Sequence, residues 1–160
     1  MTDWTEFAVI TGGAAGALIG LFFVAVSIRI TVIAGSPELR DRAAQTLGLF
    51  LIILLSAVLV AVPGQPDFGL GIELVVLAVL AGAAAMVLDQ QAKRHRGTHR
   101  IARTLENATP NAVTAGLTGA GGITLITGAH AGLYLLVPAA VAALTGGVIN
   151  AWLILVALDD

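Results

Sequence analysis

Residues 7–33 read FAVITGGAAGALIGLFFVAVSIRITVI, and no charged side chain interrupts this stretch before Arg29. An α-helix needs about 20 consecutive apolar residues to cross a hydrocarbon core about 30 Å thick. Further runs of this kind lie at 43–62 and 70–88, and a longer apolar region extends from 112 to 158. The sequence therefore predicts an integral membrane protein built from transmembrane helices.

The region 112–158 must fold back on itself, because a helix rises only about 1.5 Å per residue and a single crossing is much shorter. We expect the reversal at Gly128-Ala-His-Ala-Gly132, since glycine adopts the positive φ that tight turns use. The predicted fold is an all-α bundle of about five transmembrane helices in one domain, residues 1–160. The expected helices cover about 5–34, 42–62, 69–90, 108–127 and 133–157. The fourth is rich in Gly and Thr, so a re-entrant element is the alternative there.

The composition favours the same class of protein. The chain has 160 residues, of which 58% are hydrophobic and only 11% are charged, whereas soluble domains carry about 25% charged residues. Its mean hydropathy is +0.95. The absence of cysteine excludes disulfides, thiolate metal sites and cysteine nucleophiles. The first residues lack the basic segment of a signal peptide, so we expect the first helix to be retained.

The basic residues predict the orientation. All eight lie at the end of the first helix or in two connections that five crossings place on one side: Arg29, Arg40, Arg42, Lys93, Arg94, Arg96, Arg100 and Arg103. The positive-inside rule makes that side cytoplasmic, with the N-terminus outside and the C-terminus in the cytoplasm. A re-entrant fourth segment would instead leave the C-terminus outside. We expect the five residues from Lys93 to Arg103 to contact anionic lipid headgroups. Nucleic acid is not an expected partner, because the basic run is short and lacks interleaved aromatic residues.

Small residues recur at a spacing of four in the first helix, at Gly12, Gly16 and Gly20, and again in the last helix around Gly147. Small side chains let two helix backbones approach closely, and this drives helix association in lipid. One interpretation is packing within the chain. The other is a stripe that also builds a homo-oligomer.

Arg29 is the most conspicuous polar candidate, since apolar residues flank it and Ser27 precedes it by half a turn. An ionisable residue inside a membrane segment is a functional candidate by default. The alternative is that its long side chain reaches the headgroups, or pairs with Asp89. Asn150 must bond to another helix or face water, because an apolar environment satisfies neither half of its amide. These four residues are predicted pore or gating positions.

Glu73 is the corresponding candidate on the outer side, near the start of the third helix. A carboxylate is stabilised at a helix N-terminus, but together with Asp67, Asp3 and Glu6 it also predicts a cation-attracting vestibule. His130 is expected on the same side as a further pore or gating candidate, where it can pair with Glu73.

No catalytic, cofactor or metal motif stands out. His95 and His99 have the spacing of a helical metal pair, but the basic residues around them disfavour a divalent cation. The remaining polar side chains of the later helices are mostly threonines, whose hydroxyls can bond to the carbonyl of the preceding turn: Thr114, Thr118, Thr124, Thr127 and Thr145. We therefore expect no enzyme, no cofactor and no bound metal.

The segment Gly16-Ala-Leu-Ile-Gly-Leu-Phe-Phe-Val-Ala-Val-Ser-Ile-Arg29 resembles the first helix of a group of small, largely uncharacterised actinobacterial membrane proteins. The resemblance continues through Arg42-Ala-Ala-Gln-Thr-Leu-Gly48 and the Val62-Pro-Gly64 turn, over roughly the first 70 residues. It implies a compact multi-helix protein of the bacterial plasma membrane. It implies no mechanism and no site residues.

Two functions fit these observations. The first is a small homo-oligomeric channel or pore, with subunits packed through the glycine stripe and cations attracted by the outer carboxylates. The second is a non-conducting accessory or scaffold subunit that binds another membrane complex through its helices and its basic segment. A transporter is disfavoured, since no midplane charge pair or inverted repeat is visible.

Overall fold

The computed structural model describes residues 2–95 and 101–156, and at 2, 3, 38, 91–95 and 101–109 it describes the backbone alone. Within these ranges the chain is helical and contains no β-strand. The helices are α1 (Thr2–Ile28), α2 (Ile30–Gly35), α3 (Pro37–Val60), α4 (Asp67–His95), α5 (Ile101–Ile126) and α6 (Leu136–Val156), with a 3₁₀ turn, His130–Leu135, leading into α6.

Four helical segments are long and apolar enough to cross a membrane: Trp4–Ile28, Leu39–Val60, Asp67–Gln90 and His130–Val156. This confirms the prediction of an all-α chain of multi-pass membrane type. The segment predicted as the fourth transmembrane helix, 108–127, is α-helical up to Ile126, but it is not among these four candidate spans.

The predicted helix 5–34 differs from the structure, because it is divided at Arg29. The backbone of Arg29 has φ −120° and ψ 26°, outside the α-helical region, so α1 ends at Ile28 and the chain bends. The Arg29 carbonyl then accepts hydrogen bonds from the backbone N–H groups of Val32 and Ile33, both at 3.1 Å, which begins α2. The bend returns Ile33 to the interior, where its side chain is buried.

α3 occupies the centre of the bundle. Its start is set by Ser36, whose Oγ accepts a hydrogen bond from the Leu39 N–H at 3.5 Å, and by Pro37 at the first helical position. The central core cluster joins α1, α3 and α6, and contains Ala15, Leu49, Ile52, Ile53, Ala140 and Ala143. α3 therefore positions α1 on one side and α6 on the other.

α4 and α5 pack side by side through glycine. A Cβ on Gly122 would lie 2.6 Å from the Gly71 carbonyl oxygen, and one on Gly71 would lie 2.7 Å from the Gly122 carbonyl oxygen. Further along the same pair, a Cβ on Gly119 would lie 3.3 Å from the Ala78 Cβ. The two backbones can approach this closely only because neither position has a side chain.

The bundle has two chemically different ends. Asp67 contacts His130, and the Trp4 and Tyr134 rings meet edge to face with centroids 5.0 Å apart, so the starts of α1, α4 and the 3₁₀ turn lie together. We call this the acidic end. At the other end, Phe22, Ala43 and Ile154 form one cluster. We call this second end, which includes Arg29, Arg40 and Arg42, the arginine end.

The α4–α5 contact gives a direct test of the packing. Gly122→Ala should lower the stability of the purified protein by about 1–3 kcal/mol, because the new methyl group overlaps the Gly71 carbonyl and forces the helices apart. Gly116→Ala on the same helix is the matched control, since its Cβ would meet no atom within 4 Å. Thermal unfolding in detergent, followed by circular dichroism, measures both. Equal midpoints for the two variants would contradict this account of the packing.

Candidate functional site

The acidic end carries two separate polar contacts. His130 Nδ1 lies 2.5 Å from Asp67 Oδ2, and the Gln65 side-chain amide donates to Glu73 Oε2 at 2.5 Å. The predicted partner of His130 was Glu73, and the structure pairs His130 with Asp67 instead. Because Asp67 and Glu73 are six positions apart on α4, they lie on different faces of the helix. Glu73 remains exposed at the surface of the bundle.

The glycine stripe of α1 divides into an inward part and an outward part. A Cβ on Gly12 would lie 3.1 Å from the Ala57 Cβ, so Gly12 packs against α3. At Gly16 and Gly20 a Cβ would meet no described atom within 4 Å. Gly147 packs inside the chain, where Phe50 occupies the space that a side chain would need. Two of the four predicted packing glycines therefore serve the fold of one chain, and the other two face outward.

The outward stripe of α1 leads to the polar residues of the arginine end. Ser27 and Arg29 are both exposed, and the Ser27 hydroxyl donates to the Phe23 carbonyl at 2.7 Å. Asp89 and Asn150 are half-buried at the ends of α4 and α6. The predicted pore positions thus lie mainly on the outside of the bundle, and they do not converge on a path through a single chain.

The basic segment falls largely beyond what the structure describes. Arg96 and Arg100 lie outside the described residues, and Lys93, Arg94 and Arg103 are described by their backbone alone. The predicted contact of these five side chains with lipid headgroups therefore rests on the sequence.

Two threonines of α5 are buried without a hydrogen-bond partner. The side chains of Thr114 and Thr118 are 1% and 0% exposed, and neither Oγ1 meets a partner among the described atoms. The expectation that such hydroxyls bond to the preceding turn holds for Thr124, which donates to the Ala120 carbonyl at 2.7 Å. It is wrong for Thr114 and Thr118. Sequence spacing gave no signal of this, because the choice of rotamer decides whether the bond forms.

A cavity of about 300 Å³ lies between α3, α4 and α5. Gln45, Asn111 and Thr114 supply the polar side chains of its lining, and the other lining residues are aliphatic or glycine. An entirely apolar cavity of about 220 Å³ lies between α1, α2, α3 and α6 near the arginine end. Thr114 lines the first of these cavities, but its unpartnered Oγ1 is itself buried from that space.

No metal site is evident in the part of the chain that the structure describes, where no three His, Asp or Glu side chains come together. Comparisons with known protein families, with curated proteins and with solved structures find no match for this chain. The function must therefore be argued from the arrangement of the residues themselves.

The unpartnered threonines predict an unusual response to substitution. Thr118→Val keeps the shape of the side chain and removes a buried hydroxyl that has no partner, so the stability should rise by about 1 kcal/mol. Thr46→Val is the matched control, because the buried Thr46 hydroxyl donates to the Arg42 carbonyl at 2.9 Å and its loss removes a real bond. Unfolding midpoints in detergent measure both. A fall in the Thr118→Val midpoint as large as that of Thr46→Val would show that Thr118 is hydrogen-bonded after all.

Proposed function

We propose that the protein is the subunit of a small homo-oligomeric membrane pore, with the conducting path between subunits. The observation that carries this proposal is the outward face of α1, where a Cβ on Gly16 or Gly20 would meet no described atom within 4 Å. Only 17% of the apolar window of α1 is buried within the chain, the lowest share among the four candidate spans. α1 is therefore the helix best suited to receive a second copy.

The interior of one chain argues against a path inside the bundle. The centre is filled by fully buried side chains, including Leu49 and Phe50, and the core clusters join neighbouring helices along its length. Glu73, Ser27 and Arg29 are instead exposed on the outside. In an oligomer packed through α1, such residues are available to line a path between subunits.

The charges at the two ends suit permeation by cations. The acidic end bears Glu6, Asp67 and Glu73 and no Lys or Arg among its described residues. A pore entrance lined by charges of one sign raises the local concentration of ions of the opposite sign. Arg29 at the other end would then act at the narrow part of the path or at its exit.

The proposed topology has five crossings, with α5 as the fourth. α5 packs along α4 at Gly122 and Gly119, and along α6, where a Cβ on Gly146 would lie 2.8 Å from the Pro110 Cβ. Since α4 and α6 belong to candidate spans, a helix that follows both also lies at membrane depth. Both basic connections then face the cytoplasm, and the protein resides in a bacterial plasma membrane with its N-terminus outside.

The test of conduction is cation flux into liposomes that contain the purified protein, compared with protein-free vesicles. Glu73→Gln should lower the flux several-fold at low ionic strength, because it removes a charge at the mouth, and high salt should reduce the difference. Glu73→Asp, which keeps the charge, should retain most of the flux. Equal flux through Glu73→Gln and Glu73→Asp at low salt would show that the charge of Glu73 does not attract cations to the pore.

The test of assembly is the mass of the protein in detergent, from light scattering. Gly16→Leu should shift the mass from oligomer to monomer, because a leucine side chain on the open face of α1 keeps a second helix from approaching closely. Gly116→Leu is the control, since it places the same side chain in open space on α5. The accessory or scaffold function, in which the face of α1 binds another membrane protein, would be favoured by either of two results. One is an unaltered protein that is monomeric, and the other is vesicles that stay impermeable to cations although they contain the oligomer.

A further inference from the structure

The apolar cavity near the arginine end is a groove between α1 and α6. Its floor consists of the buried side chains of Phe22, Phe50 and Ile154. Its rim is exposed, since Leu21 of α1 is 67% exposed and Trp152 of α6 is 66% exposed. The groove therefore opens at the side of the bundle, where acyl chains lie in a bilayer. We call it the α1–α6 groove.

Arg29 is held beside this groove by its backbone. The Arg29 N–H donates to the Val26 carbonyl at 3.2 Å, and the Arg29 carbonyl accepts from the Ile33 N–H at 3.1 Å. Val26 and Ile33 both line the groove, so Arg29 lies between two lining residues, and its side chain is exposed. An arginine side chain can lie along apolar surface while its charged group stays among the headgroups. The α1–α6 groove thus has apolar walls and a cation at one end.

The exposed charge at this end of the bundle is positive among the side chains that the structure describes. Arg29 and Arg40 are exposed, whereas Asp41 is buried and Asp89 is half-buried. Exposed basic residues near a membrane surface attract anionic lipids. A tryptophan on the rim, Trp152, is the residue type that favours the level of the headgroups.

We propose that the α1–α6 groove binds one acyl chain of an anionic phospholipid, whose phosphate pairs with the Arg29 guanidinium. The hydrocarbon lies over Phe22 and Phe50, and the headgroup lies at the arginine end. A guanidinium matches the oxygens of a phosphate and has five N–H donors, so Arg29 can bind the phosphate in addition to its contact within the chain. Both parts of the lipid therefore meet groups of matching chemistry.

This site goes beyond the proposed pore and does not depend on conduction. Leu18 of the groove lies about 200° around α1 from Gly16, because successive residues of a helix are about 100° apart. A lipid in the groove and a second subunit at Gly16 therefore occupy different faces of α1. At the exit of a cation pore, the bound phosphate would offset the charge of Arg29, which by itself repels cations.

The volume of the groove favours a lipid chain over a second protein helix. It is about 220 Å³, below the range of about 300–1,000 Å³ that is usual for drug-sized ligands. A helix is about 10 Å wide with its side chains and is too broad to reach the floor. A single hydrocarbon chain is narrow enough to do so.

The first experiment compares two lipids on the unaltered protein. Delipidated protein in detergent is titrated with phosphatidylglycerol and with phosphatidylcholine of the same acyl chains, and bound lipid is counted by native mass spectrometry. The first phosphatidylglycerol should bind about fivefold more tightly, the value of one basic residue near an anionic headgroup. Equal affinities would overturn the proposal. Glycerophosphoglycerol, which is the same headgroup without acyl chains, should not displace the lipid, and displacement would assign the site to a soluble phosphate ester.

Variants locate the site. Arg29→Gln should remove most of the preference for phosphatidylglycerol, whereas Arg40→Gln removes an equally exposed charge of the same end, outside the lining, and should preserve it. Ala25→Phe fills the groove and should lower the affinity for phosphatidylglycerol several-fold, whereas Ala83→Phe, at an exposed position of α4, should leave it unchanged. Far-ultraviolet circular dichroism and gel filtration confirm that each variant is folded.

Three results with these variants would overturn the proposal. An equal loss of preference in Arg29→Gln and Arg40→Gln would show that the basic residues attract anionic lipid collectively. Equal affinities of Ala25→Phe and Ala83→Phe for phosphatidylglycerol would show that the lipid lies elsewhere. A lower oligomeric mass of Ala25→Phe, with its lipid binding unchanged, would assign the groove to a second copy of the chain.

Discussion

The close approach of helix backbones at positions without side chains is the interaction on which the rest of this structure depends. Lipid tails are as apolar as leucine, so helices in a membrane gain little from burying hydrocarbon and associate through short-range packing. The contact of Gly71 with Gly122 joins α4 to α5, and that of Gly147 with Phe50 joins α6 to α3. Large apolar side chains are then free to face the lipid, as the many exposed leucine, valine and isoleucine residues do.

The sequence predicted the class of fold well, because hydrophobic length and charge placement act over whole segments. Four apolar helices suited to crossing a membrane appear where runs of hydrophobic residues predicted them. The bend at Arg29 was not predicted, since one residue leaving the helical region changes no hydropathy average. The division of the α1 glycines into an inward Gly12 and an outward Gly16 depends on how α1 rotates against α3, and a repeat of small residues does not define that rotation.

The polar residues that were predicted as functional also show that sequence patterns do not define how side chains pack. Sequence reasoning chose Arg29, Glu73 and His130 because charge is conspicuous in an apolar chain, and the structure places all three at exposed positions near the ends. It passed over Thr114, because a threonine in a membrane helix usually bonds to its own backbone. Only the packed structure shows that this hydroxyl is buried without a partner among the described atoms.

The weak burial of α1 also has a consequence for biosynthesis. α1 precedes its packing partners α3 and α6 in the chain, so during synthesis it can enter the bilayer before they do. A helix satisfies all its backbone hydrogen bonds internally, and α1 exposes apolar side chains such as Ile10, Leu21 and Val24 on its surface, so it is stable in lipid alone. Insertion of α1 and folding of the bundle are thus separable steps.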